Sequence, residues 1–287
     1  ELAKLLRSRL ETAVEPHADG IPDGEQLFLG KTALSSLACE GRFLDLQDSE
    51  FSWATPIVRG KLGHKALEID WHTQRSLNTR AASERALGLL TEEGGSLGQW
   101  IADLDDTDRQ ILLGESAAYV AEFRDTWPSL PPGSNPRLEQ PMRVRLAGGA
   151  IVLAGTPDLL LGTAHRSESR MLLVDFKTGM RKPLQERQDL RFYGLLSTLK
   201  YGVAPWRWAT FYVAECAWDL EDSCEELLFT AVDRVADAVR RAVRLRWHRP
   251  PEADLRLEPG PPCNWCGRAP RCPAKAQADA EANDRDA

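Results

Sequence analysis

Apolar and polar positions change period partway along the chain. Residues 2–14 repeat at helical spacing and predict a helix. Residues 32–46 (TALSSLACEGRFLDL) predict a short helix with Thr32 or Ser35 as its N-cap. Residues 57–93 predict one or two more helices, and residues 95–126 continue the same pattern. Pro128, Pro131, Pro132, Pro136 and Pro141, with Gly133 among them, then impose a linker or irregular loop. After Pro141 the period becomes two. Val144 and Leu146, then Ile151 and Leu153, alternate on either side of Gly148-Gly149, which predicts a hairpin. Residues 170–179 predict a third strand, apolar until Asp175. A helix is expected over 183–202, ending at Gly202 as its C-cap. A strand over 207–215, a second over 226–232 and an arginine-rich helix over 232–248 complete the pattern. The order implies an α/β or α+β core with a mostly antiparallel sheet, behind a helical preface.

Composition narrows the class. The chain has 287 residues, 43% hydrophobic and 28% charged, as in a soluble globular protein. No apolar run approaches the roughly 20 residues that span a bilayer. The opening residues are amphipathic and charged, unlike a signal peptide. A cytoplasmic protein with no membrane partner is expected. The net charge of −7 weighs against nucleic acid as a partner. Arg234, Arg240, Arg241, Arg244, Arg246 and Arg249 nonetheless offer a local basic face. The stretch 274–287 is acidic and rich in small residues, and is expected to lack order.

The strongest chemistry lies in two strings, GTPDLLLG with Asp158 and LLVDFKTG with Asp175 and Lys177. Residues two apart on a strand share a face, so Asp175 and Lys177 project together. Buried charges are costly unless paired or bound to something. A buried Asp–Lys pair in a structural turn is the plain alternative. With Asp158 converging, the set suits phosphodiester hydrolysis: oxygen ligands hold Mg²⁺ or Mn²⁺, and the ammonium orients water or stabilises developing charge.

The cysteines supply a second pattern. Cys263, Cys266 and Cys272 form C-x₂-C-x₅-C, and Cys39 is the candidate fourth ligand. In a cytosolic chain such a cluster suggests metal rather than disulfides. The spacing suits an iron–sulfur cluster or zinc equally. Either would close a loop of more than 220 residues and act as a structural staple.

Pro157-Asp158 followed by Asp175-Phe176-Lys177 resembles the PD-(D/E)xK nuclease superfamily. The context of His64 in RGKLGHKALE resembles the histidine helix of its RecB-like members. The segment around Cys39 resembles the iron–sulfur branch, which includes the AddB nuclease domain and CRISPR-associated RecB-like exonucleases. The resemblance covers roughly residues 32–273. It implies a restriction-endonuclease-like α/β fold: a central mixed sheet flanked by helices, and a four-cysteine metal-cluster staple joining N- and C-terminal segments. The implied division is a helical part over 1–140 with Cys39 and the His64 helix, a nuclease core over 141–250, a cysteine segment over 251–273 and the tail. His64, Asp158, Asp175 and the Phe176 carbonyl would bind metal, and Lys177 would be catalytic. Cys39, Cys263, Cys266 and Cys272 would hold a [4Fe–4S] cluster, with zinc the lesser alternative. The family's Gln-x-x-x-Tyr helix has no direct match, because Gln188 and Tyr193 are five apart. Either Asp189 replaces the glutamine or Gln188 approaches from a rotated position. Gln188, Asp189, Tyr193, Arg240, Arg241 and Arg244 are the expected DNA contacts. The implied activity is that of a metal-dependent DNA nuclease, an exonuclease on single-stranded or end-bearing DNA in repair, recombination or defence, working with a helicase or another such protein. A non-catalytic iron–sulfur DNA-binding module is the second reading, and a zinc-stabilised interaction domain the third.

Overall fold

The computed structural model describes residues 1–130, 132–165, 168–179 and 181–286. Helix α1 (Leu2–Ala18) leads through strand β1 (Leu27–Leu29) to helices α2 (Lys31–Ser36) and α3 (Glu40–Asp48). The one helix expected over 32–46 is therefore two, separated just before α3, where Cys39 is extended. Helices α4 (Thr55–His72), α5 (Thr79–Glu92), α6 (Gly95–Ala102) and α7 (Asp106–Thr126) follow. Asn78 and Asp105 cap α5 and α7, their side chains accepting from the amides of Ala81 and Asp108.

The proline-rich stretch contains the short strand β2 (Arg137–Leu138), and the expected hairpin is β3 (Met142–Leu146) with β4 (Ile151–Gly155). Strands β5 (Leu159–Leu161), β6 (Ala164–His165), β7 (Glu168–Ser169) and β8 (Leu172–Lys177) come next. Helix α8 (Pro183–Tyr201) ends at Gly202, whose left-handed φ of 79° suits glycine. Strands β9 (Arg207–Tyr212) and β10 (Ala217–Asp222) precede α9 (Glu225–Val243), which runs into a π-helical turn over Arg244–His248. Helix α10 (Pro273–Asp286) closes the described chain.

Two expectations are corrected here. Residues 226–232 are not a strand but the start of α9, because buried Leu228, Ala231, Val232, Val235, Ala238 and Val239 recur three or four apart. The tail is helical rather than unordered, with Lys275–Asp279 and Gln277–Glu281 bonded at four-residue spacing. No helix among the described residues is long and apolar enough to cross a membrane.

A five-stranded mixed sheet in the order β10-β9-β8-β5-β2 divides the protein into layers. Strands β8 and β9 are parallel and the other neighbours in it antiparallel. Alternation along the strands gives each face its own core. Leu159, Val174, Phe176, Ala209 and Phe211 face the layer of α4–α7. Leu160, Leu173 and Trp208 face α1, α8 and α9. The small sheet β1-β4-β3, in which β1 runs parallel to β4, lies with this second core.

Helix α8 lies close over Trp208, which is fully buried. A Cβ on Gly194 would fall 2.6 Å from the Trp208 ring. Gly194→Ala is therefore expected to cost about 1–3 kcal/mol. Urea unfolding that shows no loss of stability would contradict this contact.

Candidate active site

Strand register assembles the site. Leu159 pairs with Val174 across antiparallel strands β5 and β8. The residue before β5 is thereby brought to the end of β8. Pro157, which has no amide hydrogen, lies in the break between β4 and β5. The next residue, Asp158, turns its Oδ2 to the Phe176 amide, which donates to it at 2.5 Å. Val174 and Phe176 point into the α4–α7 core, so Asp175 and Lys177 project from the opposite face, toward α8.

The Lys177 ammonium meets Asp175 Oδ2 at 2.5 Å. A second ammonium, from Lys31, meets Asp175 Oδ1 at 3.3 Å. Burial works against the Asp175 carboxylate, but Lys177 and Lys31 together hold its carboxyl below the usual value. From α4, His64 Nδ1 lies 3.1 Å from Asp158 Oδ1 and 3.8 Å from Glu139 Oε1. Burial opposes the imidazolium, yet the Asp158 and Glu139 carboxylates push His64 up to about 10. The backbone fixes Glu139 too: its amide donates to the Asp158 carbonyl at 3.0 Å.

His64, Glu139 and Asp158 each offer a ligand atom, and these atoms lie within 4.8 Å of one another. One nitrogen and two carboxylate oxygens at that spread fit a small divalent cation with bonds of about 2 Å. Such an ion would displace the proton His64 otherwise carries. Asp175 does not belong to this tight group. It stands beside the group, with both oxygens on lysines.

Helix α8 closes the site. Tyr193 is buried, and Lys31 Nζ lies 5.2 Å from its ring centroid. Burial raises the Tyr193 hydroxyl well above its ordinary value. One turn earlier on the same face, burial pushes Asp189 up to about 6 against the pull of Lys31 and Lys177. Asp189 Oδ1 and the hydroxyl of Tyr119 are buried without a hydrogen-bond partner among the described residues. Gln188 lies in a crevice with Thr230 and Arg234 on α9.

The arginines expected to meet DNA form ion pairs within the chain. Arg241 and Arg244 both bind the buried carboxylate of Glu40, at 2.9 and 2.6 Å, and Arg240 pairs with Asp237. The Arg241 side chain keeps 11% exposure in this pairing and that of Arg244 35%.

Lys31 and Glu139 escaped the sequence reading. Lys31 opens α2 directly after β1, and only the pairing of β1 with β4 carries it to the site. Glu139 lies in the proline-rich stretch that carries no recognisable string. Its left-handed φ of 44° is the feature that aims it, and no residue pattern announces that.

Cys39, Cys263, Cys266 and Cys272 line one cavity of about 540 Å³. All four are free thiols. Burial pushes the Cys266 thiol up, with Asp45, Cys39 and Cys263 adding to the shift and the Arg268 backbone opposing it. The Gly260 amide donates to Cys263 Sγ at 3.4 Å. Hydrogen bonds already fasten this segment to α3: Glu40 Oε2 accepts from the Arg256 amide and Asp45 Oδ2 from the Gly267 amide, both at 2.9 Å.

A family model described as the PD-(D/E)XK nuclease superfamily matches residues 39–273. No curated protein matches the chain. The crystal structure of SSO0001 is similar over 95% of this chain and 97% of its own, at 11% identity and a TM-score of 0.33.

Proposed function

Because the chain belongs to the PD-(D/E)XK nuclease superfamily, we propose that it is a Mg²⁺- or Mn²⁺-dependent DNA nuclease, an exonuclease acting on single-stranded or end-bearing DNA. The observation that carries this reading is the approach of His64, Glu139 and Asp158 beside the Asp175–Lys177 pair. These three would hold the cation, joined by Asp175 and the Phe176 carbonyl. When bound, it would polarise the phosphate and lower the pKa of an attacking water. The protein's own groups do the rest. The Phe176 amide holds one oxygen of Asp158, leaving the other toward His64. Lys177 stays partly exposed, so its ammonium can turn from Asp175 to orient water or receive charge developing on the phosphate. Tyr193 and Asp189 form the wall behind it. A partner in repair, recombination or defence, such as a helicase, rests on the resemblance alone.

We further propose that Cys39, Cys263, Cys266 and Cys272 hold a [4Fe–4S] cluster. Supporting this, the four line one cavity.

Linear single-stranded DNA incubated with Mn²⁺ or Mg²⁺ tests the activity. The parent should cleave, and Asp175→Ala and Lys177→Ala should each be slower by at least about 10²-fold. Binding without cleavage by all three would replace the nuclease with a DNA-binding module. Anaerobic protein should be brown and contain iron, whereas stoichiometric zinc in a colourless preparation would overturn the cluster.

A further inference from the structure

Asp175 carries two ammonium groups, and only Lys177 belongs to its strand motif. Lys177 meets one oxygen and Lys31 the other, at 2.5 and 3.3 Å. The ligand atoms that converge on a cation position belong instead to His64, Glu139 and Asp158. In two-metal hydrolases a second divalent ion, about 3.5–4 Å from the first, stabilises the other reacting oxygen. Here the free side of Asp175, where such an ion would bind, is taken by Lys31.

Lys31 is held there by its surroundings. Strand β1 delivers it along β4, with Leu29 opposite Leu153. A Cβ on the preceding Gly30 would come within 3.1 Å of the Ala154 carbonyl, so the chain is held close at this point. The ammonium rests over the Tyr193 ring. Its side chain nevertheless keeps 34% exposure and lines the same cleft, of about 480 Å³, as His64, Glu139 and Asp158. An ammonium has three donors. One goes to Asp175, and the exposed part of the ammonium faces the cleft.

We propose that this site works with one divalent cation, and that Lys31 supplies the second positive charge by donating to a non-bridging oxygen of the scissile phosphate. The phosphate is gripped between the cation at His64, Glu139 and Asp158 and the ammonium groups of Lys31 and Lys177. Lys31 is then a catalytic residue contributed by the N-terminal segment. This inference rests on the nuclease reading above.

Calorimetric titration with Mn²⁺ and single-turnover cleavage test it together. The parent should bind one Mn²⁺ at the site per chain. Lys31→Met should lower kcat by about 10²–10³-fold with little change in KM, and Lys31→Arg should recover part of that loss. Thermal unfolding checks that the methionine variant is folded, and Lys31→Gln serves if it is not. Two Mn²⁺ at the site of the parent, or cleavage by the neutral variant at the parental rate, would overturn the proposal. If the parent cleaves no DNA, the nuclease reading fails, and the Mn²⁺ stoichiometry still decides whether the site takes one cation.

Discussion

Asp158→Asn is expected to abolish cleavage, by at least about 10³-fold, while the protein remains folded. The side chain faces two ways. One oxygen stands 3.1 Å from His64 Nδ1 and the other accepts from the Phe176 amide. Asparagine keeps an oxygen for that amide, so the end of β8 should hold its position. It loses the negative charge shared with His64 and Glu139, and with it most of the affinity for a divalent ion. Mn²⁺ binding and single-turnover cleavage should therefore fall together, with thermal unfolding little changed. A variant that binds Mn²⁺ as the parent does would refute the assigned ligand set.

Glu40→Ala should produce the largest loss of stability. Glu40 is buried, with Arg241 on one oxygen and both Arg244 and the Arg256 amide on the other. Removing one partner of a buried ion pair typically costs about 3–5 kcal/mol, because the remaining charges stay desolvated. For a chain of this size that is on the order of 10 °C in Tm. The parent's response to acid follows from the same contacts. Burial opposes the carboxylate, but the Arg256 amide and the two arginines hold Glu40 below its ordinary value. A depressed carboxyl contributes stability that is complete above the unfolded pKa of about 4.3 and is lost as pH falls through the lower folded value. Denaturant titrations should show the gap between parent and Glu40→Ala narrowing below about pH 4. An unchanged gap there would assign the loss to packing rather than charge.

Local pattern made part of this molecule legible. The apolar run into Asp175 and Lys177 is a buried strand whose alternation puts both charges on one face, and two-residue spacing suffices to see it. The β3–β4 hairpin and the end of α8 at Gly202 were equally local. Strand β10 was not legible, because it is a half-exposed edge with Trp218 and Leu220 on the surface and no apolar run to mark it. Residues 226–232 misled because their apolar and β-branched composition suits a strand, while the helical period becomes visible only over all of α9. The site divides the same way. His64, Asp158 and the Asp175–Lys177 pair sit in recognisable strings. Lys31 and Glu139 owe their positions to strand pairing and to one left-handed residue. The arginines of α9 and the turn after it were conspicuous in sequence, but nothing local in their charge announces that Arg241 and Arg244 pair with Glu40.

The clasp at Glu40 constrains how the chain can be made. Its partners Arg241, Arg244 and Arg256 lie more than 200 residues downstream. Helix α1 likewise packs into a core it shares with α9. On a ribosome, the segment around Glu40 must wait for more than 200 further residues to emerge before it finds these contacts. Contacts so distant in sequence make folding slow, and an unpaired early segment is what chaperones encounter. The helices α4–α7, whose mutual contacts are local, can form meanwhile, so the seat for His64 is built before the strand that brings Lys31 is locked in place.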